Sequence, residues 1–504
     1  MAMRTREIPV LVVGAGPVGL STAAFLAHWG VGAVVIDKRD PTAAPPRAGA
    51  SLRTLELFRS IGLGPETERL SWTAATPMAG IYKDSAFGAT QQVTGLPERY
   101  AKRLETCSPV DARQNMTQSE VQRLTLDYLT GRSTVRFGAE LTGFEAGDTD
   151  VRAEVVDLAT GETEEIVAKY LIAADGARSS VRGRLGITMP DRRVVARLNT
   201  AFFRADLGNV VEKWGTGACF VRNDSVYATL FSKNGRDQWS SHIMDYPGKP
   251  AELTELSEQR TVELLRAAIG DDGIAIDLHS VNAWEAAVGV ASELRKGRVF
   301  LVGDAAHVQS SAGGLGMNTG IQDGHNLAWK IAAVLAGQAA PRLLDSYEPE
   351  RLAAIDASLT LSRRMHEGYQ DRVDPDRLYD TVAVDYLRGM LCYRYRSGAV
   401  ADDGTADADV LADVIQPGRR FPHRWADSDR GRVSVLDLIG SRWTLLVGQP
   451  VAPDTDIQVL VLPDVIAAGG AVLVRPDGFV GWVATGADRD PKRALHRVLG
   501  HRTP

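Results

Sequence analysis

The feature that most constrains the fold is a glycine pattern near the start of the chain. Gly14, Gly16 and Gly19 follow the apolar run 10–13 and precede a segment that predicts a helix from about Pro17 to Gly30. A second apolar run then ends at Asp37. Strand, tight turn, helix and strand in this order are typical of a βαβ unit that holds a pyrophosphate at a helix N-terminus and a ribose hydroxyl on the acidic residue. The pattern predicts a bound dinucleotide.

The alternative is a glycine turn in an ordinary α/β protein. The flanking strand and helix, together with Asp37, favour the dinucleotide site. No second GxGxxG stands in a strand–helix setting. We therefore expect one tightly held dinucleotide, with any other nucleotide binding transiently.

Length and composition limit the class of protein. A chain of 504 residues is too long to fold around a single hydrophobic core, so two or three domains are expected. The net charge of -6, without a basic run, argues against a nucleic-acid partner. Neither an export signal nor a membrane-length apolar run is found, and Cys107, Cys219 and Cys392 form no metal-binding pattern. These observations predict a soluble, cytoplasmic protein without a metal.

The middle and the end of the chain show different patterns. Residues 199–246 alternate between apolar and polar, with Asn-Asp and Asn-Gly turn signals, which predicts an antiparallel sheet. Residues 396–418 are rich in Gly, Ala and Asp and are interpreted as a linker. Further strand-like runs follow in 419–504, which predicts a small C-terminal α/β domain.

A second glycine-rich stretch, 303–320, follows another apolar strand. Asp304 stands at the end of that strand, Gly313, Gly314 and Gly316 form a loop, and a helix is predicted from about Asn318. Asp304 could accept a hydrogen bond from a ribityl hydroxyl, and the amides at the helix start could stabilise negative charge on a reduced flavin. Alternatively, Asp304 caps a turn and the glycines only shape the loop.

Four segments carry a family resemblance: "GAGPVG", "PRAGASLRTLELFRSIGL", "YLIAADGARSSVR" and "GDAAHVQSSAGGLGMNTGIQDGHNLAWKIA". In order and spacing they resemble the fingerprints of FAD-dependent aromatic hydroxylases of the para-hydroxybenzoate hydroxylase type. The whole chain is most similar to the bacterial members that act on polycyclic aromatic polyketides, such as the aklavinone hydroxylases.

The resemblance implies a fold of class α/β plus α+β. A Rossmann-like FAD-binding domain (1–75, 105–180 and 285–395, with its following helices) would be interleaved with an antiparallel-sheet substrate domain (76–104 and 181–284). The linker 396–418 would lead to a thioredoxin-like domain, 419–504. No cysteine follows Cys392, so thioredoxin redox chemistry is excluded there and a structural role is expected.

The resemblance also implies a set of cofactor-binding residues. Those expected to hold FAD, with Asp175 and Gly176 also serving the nicotinamide cofactor, are Gly14, Gly16, Pro17, Val18, Gly19, Asp37, Lys38, Arg47, Gln118, Leu141, Asp175, Gly176, Asp304, Gly314, Leu315, Gly316, Met317 and Asn318. No catalytic side chain is assigned, because the cofactor carries the chemistry.

The implied activity is that of a monooxygenase using FAD and NADPH, with NADH as the alternative donor. Oxygen would add at flavin C(4a), and the hydroperoxide would hydroxylate a polycyclic aromatic substrate, in natural-product biosynthesis. The alternatives are Baeyer-Villiger-type insertion or oxidative inactivation of a polycyclic antibiotic on the same fold, and a flavin-binding assembly partner without turnover. A monomer or a homodimer is expected.

Two departures from the family pattern are visible. Ser310-Ser311 stands where the family usually has proline, which predicts a looser loop beside the flavin. Val121-Gln122 stands where Leu-Glu is usual. His307 is expected to pack or cap rather than transfer protons. For Tyr227 and Trp239 the sequence leaves two locations possible, the hydrophobic core and the substrate-binding surface.

Overall fold

The structure, a computed structural model, describes residues 4–40, 49–76, 79–244, 256–370, 374–428, 431–440, 442–451, 457–485 and 490–500. The first elements along the chain are β1 (Arg4–Val13), α1 (Pro17–His28), β2 (Ala33–Asp37), α2 (Leu52–Ser60), α3 (Gly64–Leu70), β3 (Trp72–Thr73), β4 (Gly80–Lys83), β5 (Thr90–Thr94), α4 (Glu98–Thr106), β6 (Gln114–Asn115), α5 (Gln118–Leu129), β7 (Thr134–Phe137), β8 (Ala139–Ala146), β9 (Val151–Asp157) and β10 (Thr163–Ala173).

The middle of the chain contains α6 (Ser180–Arg184), β11 (Arg193–Arg204), α7 (Val210–Trp214), β12 (Ala218–Arg222), β13 (Tyr227–Ser232), β14 (Gln238–Met244), α8 (Glu258–Ile269), β15 (Asp277–Val290), β16 (Arg295–Lys296), β17 (Val299–Leu301), β18 (His307–Val308), α9 (Gly316–Leu335), α10 (Tyr347–Gln370) and α11 (Pro375–Leu387). The last part contains β19 (Trp425–Ser428), β20 (Gly431–Ser434), α12 (Val435–Leu438), β21 (Thr444–Val447), β22 (Gln458–Val461), β23 (Ala471–Val474), β24 (Val480–Val483) and α13 (Pro491–Val498).

The first sheet is built around the strand that precedes the glycine motif. Its order is β16-β17-β10-β1-β2-β7, and β1 runs parallel to both β10 and β2. The hairpin of β8 and β9 joins this sheet along β10. Helix α1 packs on β1 and β2 and against α9, and the apolar strand residues 10–13 are buried.

The second sheet confirms the antiparallel prediction for the middle of the chain. Its order is β18-β15-β11-β14-β13-β12-β4-β5, and all but the β12–β4 pairing are antiparallel. One face packs with α8 in a separate core that includes Trp214, Trp239 and Leu265. Trp239 is therefore a core residue. The opposite face is available to line a site.

The C-terminal segment forms a four-stranded sheet of order β22-β21-β23-β24. Strands β21 and β22 are parallel, and the other two pairings are antiparallel. This is the small α/β unit predicted for the end of the chain, whereas its thioredoxin-like character stays a prediction. Within the described residues, no helix has the length and apolar composition needed to cross a membrane.

Residues 396–418, interpreted as a linker, contain no helix or strand but are held by charges. The guanidinium of Arg394 is buried and contacts the carboxylates of Asp402 and Asp403 at 3.2 and 3.0 Å. Arg396 contacts Asp402 and Asp407. The acidic composition of the segment thus supplies partners for two arginines, and the boundaries of the domains on either side stay predictions.

Buried ion pairs join the C-terminal sheet to the helices of the first part. The guanidinium of Arg475 donates to Glu350 on α10 at 2.6 and 2.9 Å, and both side chains are fully buried. Arg420 forms a similar pair with Glu56 on α2. Although burial alone would raise it, Arg475 and Lys330 hold the pKa of Glu350 far below its usual range. Two buried ion pairs therefore connect the C-terminal part to helices α10 and α2.

We expect Arg475→Met to lower the free energy of unfolding by about 3–5 kcal/mol, because it leaves Glu350 buried with an incomplete set of partners. Urea unfolding of the FAD-loaded protein, followed by tryptophan fluorescence, measures this. Arg493→Met, on the exposed side of α13, is the matched control and should unfold like the wild type. Equal unfolding midpoints for the two variants would contradict the structural role of the pair.

Candidate functional site

The turn between β1 and α1 needs glycine at two positions. Gly14 has φ of 106°, and a Cβ there would lie 2.3 Å from the carbonyl oxygen of Ala174. A Cβ on Gly19 would lie 1.9 Å from the carbonyl oxygen of Gly14. These two glycines bring α1 against the ends of β1 and β10. They serve close packing and do not line the cavity described below.

The start of α1 faces open space. A Cβ on Gly16 would meet nothing within 4 Å, and no side chain caps the helix. Gly16, Pro17 and Val18 all line the same cavity. The unpaired amides and positive end of the helix dipole therefore face a volume that can accept an anion.

The predicted adenosine-side residues lie away from that cavity. Asp37 accepts hydrogen bonds from the amides of Ala15 and Arg39, both at 2.9 Å, and so fixes the turn. Lys38 is exposed and contacts Glu140 at 3.2 Å. Leu141 is buried in the core on β8, and Arg47 lies outside the described residues.

The segment with Asp175 and Gly176, here called the second motif, follows β10 at the cavity. Gly176 has φ of 82° and lines the cavity. Asp175 Oδ2 accepts hydrogen bonds from the amide of Val181 and the hydroxyl of Ser180, at 3.2 and 3.3 Å. Its other oxygen, Oδ1, is buried and has no partner within the described residues. A buried acceptor of this kind is normally satisfied by a bound molecule or water.

The glycine-rich stretch 303–320, the third motif, places Asp304 in the cavity wall. It is exposed there, just after β17, and the loop residues Gly314 and Leu315 line the cavity with it. Gly316 and Met317, in the first turn of α9, also line it, and no side chain caps this helix. The helix begins at Gly316, two residues before the predicted start.

Asn318 lines the cavity, and its side chain holds the loop. Its Oδ1 accepts from the amide of Ser51 at 2.7 Å, and its Nδ2 donates to the carbonyl oxygens of Gly49 and Gly314 at 2.9 and 2.7 Å. The start of α9 is thus joined to the start of α2. Because Asn318 lines the cavity, the prediction that the amides of 315–318 face the cofactor stays a prediction, while the side chain holds the wall.

Gln118 is the first residue of α5 and lines the cavity. Thr117 and Glu120 form a capping box that fixes this helix end. Gln122, at the position where the sequence departs from the family pattern, accepts a hydrogen bond from Gln118 at 3.4 Å. The departure therefore keeps a polar partner for Gln118.

His307 supports the site from behind. It is fully buried, and its Nε2 lies 2.7 Å from Asp323 Oδ2. Asp323 also accepts hydrogen bonds from the amide of Gly303 and the guanidinium of Arg351, at 3.0 and 2.7 Å. Although burial alone would raise it, His307 and Arg351 hold the pKa of Asp323 below its usual value. His307 was expected to pack or cap, and these contacts agree with that role.

One cavity of about 1500 Å³ joins the motif residues to the second sheet. The sheet contributes aromatic side chains, among them Phe202, Phe220, Tyr227, Phe231 and Trp284. Tyr227, left open by the sequence, thus lines the cavity. The sequence pattern predicted the strands but not which of their faces would meet the motif residues.

The lining fits FAD. Two helix N-termini without side-chain caps and the buried Gln309 Nε2 provide cavity-lining amides and a polar atom that are unsatisfied within the described residues. The unpartnered oxygen of Asp175 does not line the cavity itself, but the residues on either side of it, Ala174 and Gly176, do. Those residues include no cluster of three or more His, Cys, Asp or Glu side chains that could hold a metal ion.

Comparison with known proteins identifies the same cofactor. Residues 7–362 match the FAD binding domain family, and residues 415–501 match the C-terminal domain of aromatic-ring hydroxylases. Aklavinone 12-hydroxylase of Streptomyces peucetius is 34% identical over 482 residues, which cover 90% of this chain and 95% of that protein. 4-Methyl-5-nitrocatechol 5-monooxygenase of a Burkholderia species is 34% identical over an alignment of 547 residues, covering 98% of this chain and 97% of that protein.

The solved structure of aklavinone-11 hydroxylase with FAD and aklavinone is also similar. It has a TM-score of 0.84 and 30% identity, and covers 98% of this chain and 99% of that one. The match to the FAD binding domain spans more than half of the chain and includes all three motifs. The resemblance inferred from the sequence is therefore confirmed, and the chain belongs to the FAD-dependent aromatic hydroxylases, a family of flavoprotein monooxygenases.

Proposed function

We propose that this monooxygenase hydroxylates a polycyclic aromatic substrate of polyketide type, with NADPH as reductant and molecular oxygen as co-substrate. The supporting observation is the single cavity that joins the FAD motifs to the aromatic face of the second sheet. Two of the similar proteins are named for aklavinone, which supports the substrate class. Natural-product biosynthesis is the corresponding role.

The cofactor-binding residues would contact different parts of FAD. The start of α1 would take the pyrophosphate, Asp304 a ribityl hydroxyl, and the first amides of α9 the pyrimidine edge of the flavin. Asp175 would offer its buried oxygen to FAD or to the visiting nicotinamide cofactor. When bound, FAD supplies electron transfer from NADPH and the activation of oxygen.

The chain's own contribution is to position the ring and exclude water. Among the described lining residues, Asp304 is the only carboxylate, and the sheet side is largely aromatic. Such a surface holds a flat ring by stacking and shields reactive oxygen chemistry from solvent. A phenolic substrate activates its own ortho and para carbons, so no protein nucleophile is needed.

We expect hydroxyanthraquinones to raise NADPH oxidation by the FAD-loaded protein well above the rate without ligand. The assay is run across a panel that also contains 4-methyl-5-nitrocatechol. Product analysis by mass spectrometry and NMR then separates a new ring hydroxyl from oxygen inserted beside a ketone. A protein that binds the panel without any stimulated oxidation would be a flavin-binding partner, and the proposal would be wrong.

We expect Asp304→Ala to weaken FAD binding by about 1–3 kcal/mol, because a hydrogen bond to a charged acceptor is lost. Equilibrium dialysis with flavin fluorescence measures the dissociation constant. Asp272→Ala, an exposed carboxylate outside the cavity, is the control and should bind FAD like the wild type. Unchanged affinity in the Asp304 variant would remove this residue from the cofactor site.

The loop at Ser310-Ser311 provides a further test. Ser310 is held by Ser362 on α10, with 2.8 Å between the hydroxyl oxygens, whereas Ser311 lines the cavity with φ of -69°. Proline prefers this φ, and the structure gives the Ser311 amide no hydrogen bond within the described residues. The loop can therefore take proline at 311 without losing a bond.

We expect Ser311→Pro to keep FAD binding and to lower the fraction of NADPH oxidation that ends as hydrogen peroxide, because it stiffens the cavity wall. Stopped-flow reduction and a peroxide assay measure this. Ser311→Ala removes the hydroxyl without fixing the backbone and should behave like the wild type. Identical coupling in both variants and the wild type would show that this loop does not control the chemistry.

A further inference from the structure

Strand β13 directs alternate residues into the cavity. Tyr227, Thr229 and Phe231 line it, whereas Ala228 and Leu230 point into the core behind the sheet. At the end of the strand the alternation stops: Ser232 and Lys233, which follows directly after β13, both line the cavity. A lysine thus ends a row of otherwise uncharged cavity residues.

The ammonium group of Lys233 faces this cavity without an acidic partner. Its Nζ lies 5.9 Å from the ring centroid of Phe231. Within the described residues, the structure gives Nζ no hydrogen bond and no ion pair, and burial alone lowers the pKa of this lysine to about 8. The side chain is therefore mainly charged near neutral pH. Lys233 is partly buried, and a partly desolvated cation without a counter-ion is stabilised when a bound anionic group pairs with it.

Next to Lys233, His242 adds a neutral polar group to the same surface. It lies on β14 directly opposite Thr229, and its ring centroid is 5.6 Å from that of Phe231. Burial, together with the charge of Lys233, lowers the pKa of His242 to about 4, so the imidazole is uncharged near neutral pH. His242 can share a hydrogen bond, while Lys233 supplies the charge.

The turn that contains Lys233 does not need its side chain. The amide of Lys233 donates to the carbonyl oxygen of Gln238 at 2.8 Å. Asn234 Oδ1 accepts from the amides of Arg236 and Asp237, at 3.0 and 3.1 Å. Backbone and asparagine contacts close the turn, so the lysine side chain is available to a ligand.

We propose that Lys233 binds an anionic oxygen, a phenolate or a carboxylate, of the aromatic substrate in this cavity. The inference rests on the proposed function and adds the chemical class of ligand. Phe231 offers a ring surface beside the cation, and the His242 ring lies 5.6 Å from the centroid of Phe231 and 6.3 Å from that of Trp284, which also lines the cavity. A planar ligand with one acidic oxygen fits this combination of aromatic surface and positive charge.

Two matched pairs of ligands test the proposal on the FAD-loaded protein. Rhein and chrysophanol are dihydroxyanthraquinones that differ by a carboxylate in place of a methyl group. Alizarin and its 2-methyl ether differ by one acidic phenol, whose ionisation shifts the visible spectrum. Dissociation constants come from fluorescence quenching, and the absorbance of bound alizarin reports the phenolate. The two pairs separate a carboxylate from a phenolate as the preferred group.

We expect Lys233→Met to weaken binding of the acidic member of at least one pair by about 10- to 100-fold, as for the loss of a charged hydrogen bond. Binding of its neutral partner should change little, and the bound phenolate signal of alizarin should fall. Lys233→Arg keeps the charge and should retain most of the preference. Lys213→Met, which changes an exposed lysine on α7, is the matched control and should bind all four ligands like the wild type.

The FAD content of each variant confirms folding, because Lys233 lies outside the FAD motifs. A wild type that prefers neither acidic ligand, or a Lys233→Met variant that keeps the preference, overturns the proposal. Ligand-stimulated NADPH oxidation is measured in parallel. Lys233-dependent binding without oxidation would contradict the proposed function but support the anion site. Oxidation stimulated equally by acidic and neutral ligands, in wild type and variant alike, would support the proposed function and contradict the anion site.

Discussion

The buried carboxylate of Asp323 holds together the segments that form the cofactor side of the cavity. It lies on α9 and accepts hydrogen bonds from the amide of Gly303, just after β17, and from Arg351 on α10. It also contacts His307 on β18, just before the cavity loop. Because this charge has no access to solvent, it depends on all three partners. The position of Asp304, next to Gly303, is therefore fixed from the protein interior, and the loop glycines do not have to fix it.

A second buried charge extends this arrangement towards the C-terminal sheet. Glu350 lies next to Arg351 on α10 and accepts hydrogen bonds from Lys330 on α9 and from Arg475 of the C-terminal part. Burial is the main reason that the pKa of Lys330 falls to about 8, although Glu350 opposes the shift. Helix α9 thus begins at the cavity and continues into a charged interface. The C-terminal part therefore contacts the helix whose start lines the cavity, which agrees with the structural role expected for it.

The sequence predicted those features that depend on local pattern. The strand, glycine turn and helix around Gly14 and Gly19 follow from backbone sterics, and the antiparallel middle sheet follows from alternation and turn residues. Partners distant in the chain could not be read in the same way. The place of Asn318 in the motif predicted an amide near the cofactor, but it did not predict that the side chain would bond to residues 49 and 51. The residue type of an asparagine does not reveal which residues, distant in the sequence, will be its hydrogen-bond partners.

The same limit applies to the cavity face of the second sheet. Period-two alternation divides β13 into two faces, but only the three-dimensional placement of the sheet shows that Lys233 meets the cavity while Leu230 meets the core. The cofactor side and the sheet side also differ in how freely their side chains can change. Asn318 and Asp323 are committed to several internal bonds, so replacing either would disturb the fold along with the site. The side chains of Phe231 and Lys233 have no hydrogen bonds to the described residues that would be lost. The physical freedom to change substrate therefore lies in the sheet, while the motif residues are constrained by the interior that they hold together.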